Sequence, residues 1–62
     1  MKLESWLERE GLSHREFGEM VGSSQPSVGR WINHGAIPNR EHLIEIKKVT
    51  DGEVLANDFA YA

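Results

Sequence analysis

The sequence predicts an all-α fold: a compact domain of four to five short helices that contains a helix-turn-helix and ends in a short irregular C-terminal tail. Apolar residues recur at i, i+3 and i+4 within short segments, which is the pattern of helices that bury one face. Glycine and proline separate these segments, at Gly11, Gly22, Gly35 with Pro38, and Gly52. At 62 residues, the chain has the length of one domain, residues 1–62.

Capping signals delimit the first two helices. An apolar stripe predicts a first helix over residues 3–10, and its members are Leu3, Trp6 and Leu7. Ser13 and Glu16 have the spacing of a capping box and start the second helix. Leu12 and Phe17 have the spacing of the hydrophobic staple that accompanies such a box. The side chains predicted to point inward from the second helix are Phe17, Met20 and Val21.

Two further helices follow the same logic. The third spans Ser24–Asn33, with Ser24 as its cap. Pro26 falls in the first turn of this helix, where a missing N–H costs nothing. Asn39 caps a fourth helix that closes at Thr50. The apolar stripes are Val28, Trp31 and Ile32 in the third helix, and Leu43, Ile46 and Val49 in the fourth.

The tail, Glu53–Ala62, is open between three structures: a strand, a turn packed on the core, or a contact with a second copy of the chain. Phe59 and Tyr61 are open between core packing and a dimer interface. Trp6 and Trp31 lie on apolar stripes and are expected in the core.

Composition excludes several classes of protein. Without cysteine, the chain has no disulfide and no cysteine-ligated zinc. The three histidines are scattered along the sequence, so we expect no metal site. No nucleophile, base and orienting group fall together, so we expect no enzymatic activity, no cofactor and no small-molecule ligand. No apolar run reaches the roughly 20 residues of a membrane span. We therefore expect no membrane association and a location in the cytoplasm of a bacterial or phage-infected cell.

The net charge of −3 is unusual for a protein that binds nucleic acid. Its distribution is informative, however. Residues 13–40 carry three arginines against two glutamates, whereas residues 41–62 carry two lysines against five acidic residues. The acidity thus lies mainly outside the segment that contains the second and third helices.

Three residues in this segment have a specific spacing. Gly22-Ser23-Ser24 makes a three-residue turn, which suits two helices that cross steeply. A steep crossing needs close backbone approach, which Gly18 permits at a cost of about 1 kcal/mol of helix propensity relative to alanine. Gly22 supplies the positive φ of the turn, and Val28 is the apolar plug of the third helix.

The segment from His14 to Trp31 resembles the helix-turn-helix regulators of the Cro and phage-repressor (Xre-like) type, whose fold is lambda-repressor-like. That family has a small residue at the Gly18 position, glycine at Gly22 and an apolar residue at Val28. The ending after Thr50 is similar to the small YdaS-type regulators. The resemblance implies a Cro-like transcriptional repressor that inserts the helix Ser24–Asn33 into the major groove of a double-stranded DNA operator.

The resemblance also assigns candidate contacts. The residues expected to read bases are Gln25, Pro26, Ser27 and Arg30. Those expected on the DNA backbone are His14, Arg15, Ser23, Ser24, Asn33, His34 and Arg40. One short helix reads few base pairs, so a homodimer on a two-fold operator is expected, formed in solution or only on DNA. The candidates for its contact are Val54, Phe59 and Tyr61.

A second interpretation stays open. The net charge of −3 also fits a protein-interaction module that keeps the fold without binding DNA, such as an antitoxin-like partner or an antirepressor. A steep loss of affinity with added salt favours DNA binding, because the neutralised phosphates release counterions. Salt-insensitive binding to a protein favours the alternative.

Overall fold

The computed structural model describes residues 1–60, and five helices account for most of them. Their bounds are α1 Leu3–Glu10, α2 His14–Val21, α3 Gln25–Asn33, α4 Arg40–Val49 and α5 Asn57–Ala60. No strand occurs among these residues. The all-α prediction is confirmed, including the four main helices and their order. None of the helices within residues 1–60 is long and apolar enough to cross a membrane.

The predicted caps form. The Ser13 hydroxyl accepts from the Glu16 amide at 3.1 Å, and the Glu16 carboxylate accepts from the Ser13 amide at 3.1 Å. Ser24 accepts from the Ser27 amide, and Asn39 accepts from the His42 amide at 2.9 Å. Each cap satisfies an amide that the first turn of a helix leaves without an intrahelical partner.

The core takes side chains from every helix. Its buried members are Leu3, Trp6, Leu7, Phe17, Val21, Val28, Trp31, Ile46, Val54 and Phe59. Trp6 meets Phe17 edge-on at 5.7 Å between ring centroids, and Trp31 meets Phe59 at 6.5 Å. Such pairs add stabilisation beyond the area they bury. The prediction that both tryptophans are core residues is confirmed.

One inward-pointing prediction is wrong, because Met20 is 47% exposed. The buried residues of α2 are Phe17, Gly18 and Val21. Successive helical residues are rotated by about 100°. The buried arc is therefore centred between Phe17 and Gly18, against which α3 packs. Met20 lies outside this arc.

The tail adopts the packed alternative. After Thr50 the chain turns, buries Val54 and continues into α5, which buries Phe59. Both side chains belong to the chain's own core, so Phe59 takes the core-packing alternative that the sequence left open, and Val54 is wrong as a candidate for a contact with a second copy. A small domain buries only part of its apolar surface, so this one uses the side chains of its tail to cover the core. Tyr61 lies outside the described residues.

Candidate nucleic-acid interface

The turn between α2 and α3 brings two backbones into contact. Gly22 has φ 73°, in the left-handed region that glycine adopts without strain. The Ser23 amide then donates to the Gly18 carbonyl at 2.7 Å. A Cβ atom at Gly18 would lie 3.0 Å from the carbonyl carbon of Ser24 and 3.2 Å from its oxygen. The close approach predicted at Gly18 is confirmed.

This crossing turns a polar side of α3 toward solvent. Val28 and Trp31 point into the core, while Gln25, Pro26 and Arg30 are exposed. Ser27 is half-buried beside them. The face that the sequence predicted to read bases is therefore accessible along the first two turns of the helix.

Hydrogen bonds order this face. The Ser24 hydroxyl donates to the Ser27 hydroxyl oxygen at 3.1 Å. Arg30 Nη2 donates to the same oxygen at 3.2 Å. The guanidinium of Arg30 uses one of its five donors in this bond and keeps the others for a ligand. Ser27 thus contacts the guanidinium of Arg30 on the exposed side of α3.

The start of α2 borders the middle of α3. A Cβ atom at Gly29 would lie 3.9 Å from His14 Nδ1, so the half-buried imidazole lies beside α3. Arg15, one residue later, is 78% exposed and pairs with Glu19 at 3.5 Å. An ion pair this exposed is weak, so Arg15 can exchange Glu19 for another anion. His14 therefore borders α3, and Arg15 lies one residue further along α2, exposed to solvent.

A carboxylate stands at the same helix start. The Ser13 backbone amide, and then its hydroxyl, lower the pKa of Glu16 below its usual value. Glu16 is therefore an anion at neutral pH and occupies the Ser13 amide. An anion approaching the start of α2 meets the remaining free amides of the first turn.

The other predicted backbone residues lie at the two ends of α3. Ser23 is half-buried in the turn before it. Asn33 and His34 are exposed at its C-terminal end, about 12 Å from Gln25 at the rise of a helix. Arg40 is exposed at the start of α4. The structure brings His14 against α3, whereas Asn33 and His34 lie at the far end of that helix and Arg40 at the start of α4.

The chain matches the helix-turn-helix family model over residues 3–54. It belongs to this helix-turn-helix family of DNA-binding regulators, of the Xre/Cro type. The matched range includes α1 to α4 and the buried Val54, so it covers the crossing as well as the helices that support it.

Curated relatives of this helix-turn-helix protein are mycobacterial cidal antitoxins named MbcA, from Mycobacterium bovis and from two strains of Mycobacterium tuberculosis. They are 41% identical to it over 59 aligned residues, which cover 87% of this chain and 52% of each relative. The chain thus spans about half the length of these relatives. No solved structure matches it.

Sequence reasoning missed one residue of the helix-turn-helix. His42 in α4 places a ring nitrogen 3.3 Å from the Gly22 carbonyl oxygen, and its ring lies 5.6 Å from that of Trp31. It therefore supports the turn and the underside of α3 together. Its position three residues after the cap Asn39 marked the first turn of α4, but nothing in the pattern paired it with a turn 20 positions earlier.

Proposed function

We propose that this protein is a sequence-specific transcriptional regulator, a Cro-like repressor that reads the major groove of operator DNA with α3. The observation that carries the proposal is the exposed polar face of α3, on which Ser27 holds Arg30 by a 3.2 Å hydrogen bond. A helix fits the major groove of B-DNA, where the four base pairs are distinguishable.

Four side chains would carry the base readout. Arg30 has the geometry for a bidentate contact with guanine O6 and N7, and Gln25 for one with adenine N6 and N7. Ser27 can donate or accept, while the Pro26 ring suits a thymine methyl group. Each bidentate pair discriminates against the wrong base by about 1–3 kcal/mol.

The DNA-backbone contacts would come from both ends of α3 and from the starts of α2 and α4. They are His14, Arg15, Ser23, Ser24, Asn33, His34 and Arg40. Few of them are cations, so the salt dependence of binding should be shallow. If Arg15 and Arg40 are the only charges that neutralise phosphates, the slope of log K against log salt is about −2.

A two-fold operator read by two copies completes the proposal, because α3 offers only two turns to the groove. The half-sites would then lie about 10 base pairs apart. A regulator with this role would act in the cytoplasm of a bacterial or phage-infected cell.

The test is selection from a pool of random duplexes, followed by titration of the selected sequence. Arg30→Ala should weaken binding about tenfold or more and relax specificity at one position, as the loss of a bidentate contact predicts. Gln25→Ala should do the same at a neighbouring position. Arg15→Ala should weaken binding to all duplexes by the same factor. It should also make the slope of log K against log salt shallower by about 1.

Arg9→Ala is the matched control, because it removes the same charge from α1. Its affinity for the selected duplex should remain that of the unmodified protein. Unchanged binding of Arg30→Ala and Gln25→Ala to every duplex would contradict base readout by α3.

A second function is supported by the relatives. The 41% identity to proteins named antitoxins favours a role in which this chain binds a partner protein, as does the net charge of −3. We propose it as an addition to DNA binding rather than a replacement. Binding to such a partner should weaken less with added salt than binding to duplex DNA does, because it releases no counterions from phosphates.

A further inference from the structure

An apolar groove lies on the side of α4 that faces the tail. Its floor contains Leu43, Ile44, Leu55 and Ala56. Ile44 is 46% exposed and Leu55 is 43% exposed, so two large aliphatic side chains meet solvent in one depression. Exposed apolar side chains that cluster, with polar residues around them, are typical of a binding surface.

The rim of this groove is cationic. Arg40 and Lys47 line it, and none of its lining residues is acidic. Within residues 1–60 no carboxylate forms an ion pair with Lys47. The lining of this groove thus carries two positive charges and no negative one, while Glu41 and Glu45 line the depression on the other side of Ile44. The groove therefore favours a ligand that is apolar in the middle and anionic at its edges.

The groove continues along α4. A second depression shares Ile44 and Lys47 with the first and extends to Lys48, with Asp51 as its single acidic residue. Together they follow α4 from Arg40 to its end, which is about 15 Å at the rise of a helix. This length matches about three turns of a helix laid alongside.

We propose that this groove, defined by Leu43, Ile44, Lys47, Leu55 and Ala56, binds an amphipathic helix of another protein that carries acidic residues beside an apolar stripe. Helices bind grooves of this kind through anchors spaced three and four residues apart. Ile44 and Leu55 receive the anchors, while Lys47 attracts the acidic flank. This groove would be the surface that binds the proposed partner protein, and its charge defines the kind of partner helix. The proposal rests on the second function proposed above and not on DNA binding.

The probe is a synthetic helical peptide of about 14 residues, four turns, with leucines along one face and glutamates beside them. Titrated into the isotope-labelled protein, it should shift the amide signals of Leu43, Ile44, Leu55 and Ala56. The matched peptide with lysine in place of glutamate should bind at least about tenfold more weakly, because its charges oppose Lys47.

Two variants locate the site. Ile44→Asp should abolish peptide binding, whereas Met20→Asp, at a residue of nearly equal exposure on α2, should leave it unchanged. Lys47→Glu should reverse the preference between the two peptides. Neither Ile44→Asp nor Lys47→Glu should weaken binding to the selected duplex as Arg30→Ala does. Circular dichroism should show that both variants stay folded.

Several results would overturn the proposal. Absence of peptide shifts, or shifts elsewhere on the protein, would remove the site while leaving the α3 interface and partner binding by other surfaces untouched. Groove signals that change with protein concentration alone would identify a second copy as the occupant. An equal loss of duplex binding in Lys47→Glu and Arg30→Ala would assign the rim to DNA instead.

Discussion

The helix-turn-helix, residues 13–33, and the tail closure, which we define as Trp6, Arg9, Thr50, Glu53 and Val54, are held by different physics. In the helix-turn-helix, caps and a backbone contact at Gly18 join residues that are close in sequence. In the tail closure, Glu53 accepts from Trp6 Nε1 at 3.2 Å and from Arg9 Nη1 at 2.9 Å, across more than 40 positions.

The two regions should differ in how well they tolerate substitutions. A backbone contact cannot move aside, so the helix-turn-helix should respond sharply to added atoms. The charged bonds of the tail closure are exposed, and solvent can replace them. Only Thr50 in the tail closure is buried and polar: its hydroxyl donates to the Ile46 carbonyl at 2.7 Å and accepts from the Val54 amide at 3.2 Å. The α3 face that we propose to read DNA thus lies in the rigid region.

Gly18→Val should have the largest effect. Its side chain would meet the Ser24 backbone, 3.0 Å from the position of a Cβ atom, and force α3 away from α2. We expect a loss of about 3 kcal/mol in the free energy of unfolding, most of the roughly 5 kcal/mol expected for so small a domain. Urea denaturation followed by circular dichroism measures it.

Gly29→Ala is the control for this prediction. A Cβ atom there meets only His14 Nδ1, at 3.9 Å. The substitution should therefore stabilise the protein by up to about 1 kcal/mol through helix propensity. Equal destabilisation by Gly18→Val and Gly29→Ala would show that the crossing is not the rigid element.

Thr50→Val should have the next largest effect and tests the buried part of the tail closure. Valine keeps the shape but leaves the Val54 amide without its acceptor. We expect a loss of about 2 kcal/mol, the cost of a buried unsatisfied donor. Thr50→Ser keeps the hydroxyl and should lose less. The proposal of a buried hydrogen bond fails if serine is the worse of the two in the same urea titration.

The same comparison explains what the sequence could predict. The capping box of Ser13 and Glu16, the cap at Ser24 and the crossing at Gly18 depend on spacings of a few residues, and each was predicted. The exposed face of α3 followed from them. Met20 was misplaced because the rotation of α2 is set by α3 packing on Gly18, a contact that helical periodicity alone does not contain.

The tail closure could not be predicted in this way. Ten acidic residues and seven cations offer many pairings, and the sequence does not choose Arg9 for Glu53. The burial of Val54 and Phe59 depends on the space left by α1, α3 and α4. Thr50 was predicted only as the end of α4, whereas its hydroxyl also fixes the turn that follows.

Ser13→Ala should weaken the helix-turn-helix by about 1 kcal/mol, the usual cost of losing an N-cap side chain. The Glu16 amide would lose its 3.1 Å acceptor at the start of α2. Ser5→Ala, at an exposed position inside α1, should not destabilise the protein. Thermal unfolding of both variants decides. A shift no larger than that of Ser5→Ala would mean that water replaces the cap.

The smallest effect should be a pH dependence that separates the two regions. The Arg9 hydrogen bond is the main cause that lowers the pKa of Glu53, and the Ser13 backbone amide is the main cause that lowers the pKa of Glu16. A lowered pKa in the folded state contributes stability above the unfolded value, about 4.3 for glutamate, and this stability is lost as the pH falls through the folded value. The urea concentration at the midpoint of unfolding should therefore decrease as the pH is lowered from about 5 to about 3.

Substitutions and added salt show which carboxylates cause this dependence of the unfolding midpoint on pH. Glu53→Gln should remove the share of Glu53 in this pH dependence and leave those of Glu16 and of Asp58, whose pKa the Leu55 amide lowers. Added salt should reduce the share of Glu53 in the unmodified protein, because the Arg9–Glu53 pair is exposed and screened. Glu16→Gln should remove its own share while keeping most of the stability at neutral pH, since glutamine still completes a capping box. A slope that is insensitive to both salt and Glu53→Gln would place the titrating groups outside the tail closure and remove the proposed contrast between the two regions.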